Sequence, residues 1–285
     1  MKTLLTVLVG VIVGLPQGSH AKPPSVDCDT MRQAARASRA AYSLYENPTR
    51  TDSSVLAKFA GTPKLGGFAV LRKASKGRCE LAFKGTDITD PEDIILDLAA
   101  AIPAQCGRRG KEALGVCAAG FFIQYLSIRN NSQLFAQLEK VRSQGQCQRG
   151  LLVTGHSLGG ALASLFAADA VNRDPVTFAK SRMKVVTFAE PRVFGVAPAE
   201  RFHRLIDKDR VINYGDKIAA VPMVKLGFKH FGRTLFLKEK LLGTKNGRLV
   251  ITQESVDFAP EHAGVLTLLY HALAAYEIRL ALCSS

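Results

Sequence analysis

The stretch LLVTGHSLGGALA occupies residues 151–163 and sets Ser157 between two glycines, after an apolar run and before an alanine-rich one. "RGLLVTGH" reads as a continuous buried strand and "LGGALASLFAADAV" as the helix that follows it. The junction Gly155-His156-Ser157-Leu158-Gly159 is therefore a sharp strand-to-helix turn. Such a turn strains its central residue, and side chains at the flanking glycines would crowd it. The serine hydroxyl then stands clear at the carboxyl end of a sheet, beside a helix start that favours developing negative charge. The pentapeptide alone also describes an ordinary turn. Its strand-before, helix-after context is what makes Ser157 a nucleophile candidate.

Working outward, strands and helices alternate along the chain. Residues 25–45 form an alanine- and arginine-rich helix that opens near Asp27 or Asp29. "GFAVLRK" and "CELAFKG" are short apolar strands around the turn "ASKGR". Residues 122–143 carry apolar side chains at helical spacing (Ile123, Leu126, Leu134, Leu138, Val141). "MKVVTFAEP" and "DRVINYGD" are further buried strands, "GRTLFLKEK" and "GRLVITQES" suggest a late hairpin, and a helix is expected from about Ala263 to Leu282. Continuous apolar strands between helices predict an α/β fold, with a mostly parallel central sheet and helices on both faces.

A serine nucleophile needs a base, and the base an orienting acid; on sheets of this kind the chain order is serine, acid, histidine. Of the acids after Ser157, Asp216 directly follows the strand "RVINY", so its carboxylate shares a rim with Ser157. Asp169, Asp174, Glu190, Asp207 and Asp209 fall in helices or polar connections and read as solvated charges. His203 and His230 precede or crowd the acid. His262, in the turn-like "FAPEHAG", and His271, in the apolar "LLYHALAAY", both remain open as the base, and His271 has a core-packing alternative. His156 adjoins the serine on a sharp turn and is poorly placed to reach its hydroxyl.

The chain has 285 residues, enough for one sizeable domain. Residues 1–21 have Lys2, an apolar stretch from Leu4 to Leu15, then Ser19 and Ala21, the layout of a secretory signal peptide rather than a membrane span. Residues 22–285 then form a single domain, secreted or periplasmic, with no transmembrane segment. All six cysteines lie after residue 21 and their even number suggests disulfides. The pairing expected is Cys28–Cys283 across the termini, Cys79–Cys147 between neighbouring strands and Cys106–Cys117 around a local loop. The net charge of +14, from which the leader removes only Lys2, favours anionic partners. Nucleic acid is not supported, since no zinc-finger spacing, RNA-binding signature or coherent basic helix occurs.

Several ordered motifs from about Ala40 to Tyr276 resemble the class 3 lipase family of the α/β-hydrolases. "AFKGTDITDPEDIILDL" is similar to its strand, R-G-T turn and D-W-x-x-D-L segment, and "CAAGFFIQYL" to V-H-x-G-F. "VTGHSLGGALASL" is nearly its consensus; "TFAEPRVFG" resembles T-F-G-x-P-R-V-G, "RVINYGDKIAAVP" resembles R-V-V-N-x-x-D-x-V-P, and "GFKHFG" resembles G-Y-x-H-x-G. The resemblance implies Ser157 as nucleophile, Asp216 as acid and His271 as base, because "HALAAY" matches the H-x-x-x-x-Y ending of plant and bacterial members. It implies Thr86 and the backbone N–H of Leu158 as the oxyanion hole. Lys84 replaces the family arginine and keeps the cation, Ile94 replaces the tryptophan, and Cys117-Ala118 replaces V-H.

The implied activity is hydrolysis of glycerolipid acyl esters through an acyl-enzyme, without metal or cofactor. A phospholipase A1 on anionic phospholipid is the alternative, and a non-catalytic hydrolase-like binder a third reading. The resemblance also implies a lid after the oxyanion turn, where Ile94, Ile95, Leu98 and residues 99–102 would cover the serine; an ordinary packed helix and loop is the alternative. A Cys106–Cys117 bridge would stiffen the loop bearing Arg108, Arg109 and Lys111. A basic stretch over residues 222–248 is either a solvated hairpin face or a dock for anionic lipid, worth about 1 kcal/mol per basic residue near the membrane.

Overall fold

A computed structural model of the chain describes residues 26–86, 102–107, 110, 113–238, 251–254 and 271–283. The chain begins with helix α1 (Cys28–Glu46), then strands β1 (Val55–Ala60), β2 (Phe68–Lys73) and β3 (Cys79–Phe83). Strands β4 (Pro103–Cys106) and β5 (Gly115–Ala118) precede helices α2 (Ala119–Asn131) and α3 (Leu134–Ser143). The centre is β6 (Leu151–His156), α4 (Leu158–Arg173) and β7 (Met183–Phe188). β8 (Phe194–Gly195), α5 (Val196–Leu205), β9 (Asp207–Asn213), β10 (Phe228–Lys229), β11 (Arg233–Leu237), β12 (Ile251–Glu254) and α6 (Leu273–Ala281) complete it.

The main sheet has the order β1-β2-β3-β6-β7-β9-β11-β12. Strands β3 to β11 run parallel, and antiparallel strands flank them at both edges. Alternation along the strands explains the helices on both faces. On β6, Leu151 and Val153 pack with α2, α3 and α4, while Leu152 faces the other side with Met31, Ala34, Tyr276 and Leu280 of α1 and α6. The small residues of α1 (Ala34, Ala37, Ala41) are fully buried and let it approach the sheet closely. Asp27 caps that helix by accepting from the Thr30 N–H at 2.9 Å.

The three expected disulfides are present, with Cα–Cα distances of 5.8 Å (Cys28–Cys283), 5.0 Å (Cys79–Cys147) and 5.8 Å (Cys106–Cys117). The last closes the β4–β5 pair, part of a second antiparallel sheet, β10-β8-β5-β4, that the sequence did not suggest. The helix expected over 122–143 is two helices, broken at Gln133 with φ 48°. Asn131 and Ser132 cause the break by bonding backbone carbonyls, Asn131 Nδ2 to Ala60 O at 3.0 Å and Ser132 Oγ to Ile128 O at 2.5 Å. Ala272 leaves the helical range (φ −54°, ψ 134°), so α6 starts at Leu273 and His271 precedes it. The lid segment 87–101, Arg108, Arg109, Lys111 and His262 lie outside the described residues. Among the described residues no helix is long and apolar enough to cross a membrane.

Candidate active site

Thr86, Ser157 and Asp216 follow the carboxyl ends of β3, β6 and β9, three parallel strands of one sheet, and so share one rim. Ser157 sits between β6 and α4 with φ 57° and ψ −128°, a conformation that side chains rarely adopt. Its N–H holds Phe188 O at 2.9 Å, tying the turn to β7. A side chain at Gly155 would collide with the Gly159 carbonyl, and one at Gly159 with the Phe83 carbonyl. Gly85 likewise lies against the His156 carbonyl and the Tyr42 hydroxyl. These contacts bring the Lys84-Gly85-Thr86 turn against the start of α4, and Thr86 and Leu158 line one cavity of about 190 Å³. A larger cleft, about 680 Å³, lies between α1, the segment before β1 and strands β2 and β3, and includes none of these residues.

Asp216 is fully buried and completely engaged. Oδ1 accepts from His271 Nδ1 at 3.0 Å and from the Ile218 N–H at 3.0 Å; Oδ2 accepts from the Tyr276 hydroxyl at 2.6 Å. Burial alone would raise the Asp216 carboxyl. The facing His271 and the donors His271 and Tyr276 outweigh that and hold it below the ordinary aspartate range. A carboxylate on Nδ1 fixes the proton there, which leaves the lone pair on Nε2. His271 Nε2 and Ser157 Oγ are both buried, and neither has a hydrogen-bond partner among the described residues.

His156 is occupied elsewhere. Its Nε2 donates to the His271 carbonyl at 2.6 Å and its Nδ1 accepts from the Tyr42 hydroxyl at 3.1 Å. Burial, and then the neighbouring His271 charge, push its pKa down to about 3, so it is neutral near pH 7. Lys84, standing where the family has arginine, keeps its ammonium 5.2 Å and 4.4 Å from the Tyr42 and Tyr45 ring centres and donates to Gly85 O at 3.1 Å. His230 is buried with its Nε2 on Ala219 O at 2.8 Å, and His203 Nδ1 accepts from Gly232 N–H at 3.1 Å.

Three acids expected to be solvated are buried. Asp169 accepts from Tyr125, Arg129 and Arg173, and Asp209 is paired by Arg233 and Lys184. Glu190 collects Ser164, Thr187 and the fully buried Lys208, at 2.6, 2.6 and 2.7 Å. Each carboxylate is compensated by a cation from another element, which local sequence does not reveal. Tyr276 was legible only as the last letter of H-x-x-x-x-Y; its hydroxyl also accepts from the Asn213 N–H at 3.0 Å.

The family model for class 3 lipases matches residues 80–226, just over half of the chain and including Ser157 and Asp216. The chain belongs to the class 3 lipase family. It is 34% identical over 106 residues, 35% of its length, to the triacylglycerol lipase OBL1 of Arabidopsis thaliana. It is 42% identical over 71 residues, 25% of its length, to the lipase ZK262.3 of Caenorhabditis elegans. The chain spans only about a fifth (20%) of each of these curated relatives. Among solved structures it is similar to the Rhizomucor miehei lipase–propeptide complex, at TM-score 0.67 and 19% identity over 90% of this chain and 82% of that one. It is also similar to the lipase of Rhizopus microsporus var. chinensis, at TM-score 0.65 and 18% identity over 87% and 84%. The fold is thus the α/β-hydrolase fold of this class 3 lipase family.

Proposed function

We propose that this class 3 lipase is an exported serine carboxylester hydrolase that cleaves acyl esters of glycerolipids. The observation that carries the reading is the pair His271 Nδ1–Asp216 at 3.0 Å together with a strained, buried Ser157 on the same rim. His271 Nε2 takes the Ser157 proton as Oγ attacks the ester carbonyl, and Asp216 stabilises the imidazolium. Thr86 and the Leu158 N–H receive the oxyanion; each such donor is worth roughly 3 kcal/mol. Protonation of the leaving alcohol gives the acyl-enzyme, and water, activated by the same histidine, releases the acid. No step draws on a metal or cofactor.

Ser157→Ala is expected to reduce hydrolysis of p-nitrophenyl butyrate by at least about a thousandfold with the fold intact; a variant retaining full rate ends the assignment. His271→Ala should lose activity and His262→Ala keep it, and the reverse result would transfer the base to His262.

The substrate reading is neutral glycerolipid, with anionic phospholipid second. The phospholipase alternative leans on the basic stretch over 222–248, yet there Lys229 is bonded to Glu200 at 3.0 Å and Arg233 to Asp209 at 2.7 Å. Comparing acyl release from trioctanoin and phosphatidylglycerol, with and without salt, decides it: a salt-sensitive preference for the phospholipid would replace the neutral-lipid reading. Export with loss of residues 1–21 is supported by three disulfides among the described residues. Amino-terminal sequencing of the exported protein should begin at Lys22.

A further inference from the structure

The amino ends of the parallel strands, opposite the Ser157 rim, carry a row of arginines. The register aligns Cys79, Leu151 and Met183 across β3, β6 and β7. Arg78 and Arg182 immediately precede Cys79 and Met183, and Arg149 stands two residues before Leu151. Neighbouring strands lie about 4.8 Å apart, so the three arginines start from the ends of adjacent strands. The Cys79–Cys147 disulfide and the bond from Arg149 N–H to Gly77 O at 3.1 Å fasten the first two loops together.

These residues, with Lys180, line a cleft of about 370 Å³. The carboxylates in that cleft are already engaged. Asp27 caps α1, Asp207 holds Lys184 at 2.7 Å, and Asp209 holds Arg233 at 2.7 Å. Arg78, Arg149, Lys180 and Arg182 have no carboxylate partner among the described residues. Burial, and then the charge of Arg182, lower the pKa of Arg142. The like charges gathered in the cleft are relieved by a bound anion.

We propose that this edge is a docking groove for a linear acidic polysaccharide, whose successive carboxylate or sulfate groups meet Arg78, Arg149 and Arg182. Guanidinium forks suit both anions. A lipid surface fits less well, because a bilayer held at this edge would stand at the opposite end of the strands from Ser157. Nucleic acid fits less well because no aromatic side chain lines the cleft for bases to stack on. The groove goes beyond the ester-hydrolase reading and does not depend on it.

The test is fluorescence anisotropy at low salt with labelled polygalacturonate and labelled heparin, on wild type, the triple variant R78Q/R149Q/R182Q, and K225Q as a distant charge control. Wild type is expected to bind at least one polymer, and which one distinguishes a carboxylate from a sulfate ligand. The triple variant should bind roughly tenfold or more weakly, while K225Q binds as wild type. Circular dichroism and the p-nitrophenyl butyrate rate of the variants should match wild type, which separates lost docking from lost fold. The proposal fails if neither polymer binds or if the triple variant binds normally. It also fails if K225Q loses as much, or if duplex DNA or phosphatidylglycerol vesicles bind as tightly with the same arginine dependence.

Discussion

His156 and His271 lie with ring centroids 4.8 Å apart, yet their hydrogen bonds give them separate tasks. His156 is clamped between the Tyr42 hydroxyl and the His271 carbonyl, so it fixes the backbone that carries the proposed base. Its pKa is depressed to about 3 in the fold and is near the ordinary 6.5 when unfolded. Between those values the unfolded chain binds the extra proton, so stability falls as pH drops below about 6.5 and continues falling towards 3. Urea midpoints should therefore decline from pH 7 to pH 4, by the equivalent of several kcal/mol. His156→Asn should flatten that slope; an unchanged slope would remove His156 as its source. Tyr276→Phe strips one donor from Asp216 and removes the hydroxyl that accepts from the buried Asn213 N–H. The expected loss is about 1.5–3 kcal/mol in urea unfolding, accompanied by a lower kcat/KM.

Strand β3 and helix α4 meet where Gly159 lies against the Phe83 carbonyl and the Lys84-Gly85 backbone. All the neighbours are main chain, so an added methyl group cannot be accommodated by a rotamer change. Gly159→Ala should cost about 1–3 kcal/mol and widen the space between Thr86 and Leu158. Activity is then expected to fall by more than stability explains, measured as kcat/KM under conditions where the variant is fully folded. At this scale much was legible. Apolar runs marked β3, β6, β7 and β9, and a carboxylate just past "RVINY" marked Asp216. The break at Gln133 was not, because the apolar spacing continues through Asn131 and Ser132 while their side chains bond carbonyls along the chain and across it.

Across the whole molecule, the Cys28–Cys283 bridge joins residues separated by 255 positions and holds α1 beside α6. Arg32 on α1 adds a bond to the Cys283 carbonyl at 2.6 Å. Since the loop closed is nearly the entire chain, C28S/C283S should lower the unfolding free energy by on the order of 2–5 kcal/mol. A midpoint equal to wild type in urea would show that helix packing alone secures the end of the chain. That end carries His271, so the variant should also lose ester hydrolysis at lower denaturant concentrations than wild type.

The sequence by itself determined the serine turn, the alternation of strands and helices, and the acid after β9, because each is written in local spacing and sterics. It left His262 and His271 equal on physical grounds, and a family resemblance chose between them. Tertiary structure brought His271 to Asp216, made His156 a neutral clamp, and buried Glu190 with Lys208. Those outcomes depend on which side chains from distant elements meet inside a low-dielectric interior, where an unpaired charge is costly and a paired one is held. Spacing along one chain does not encode that meeting.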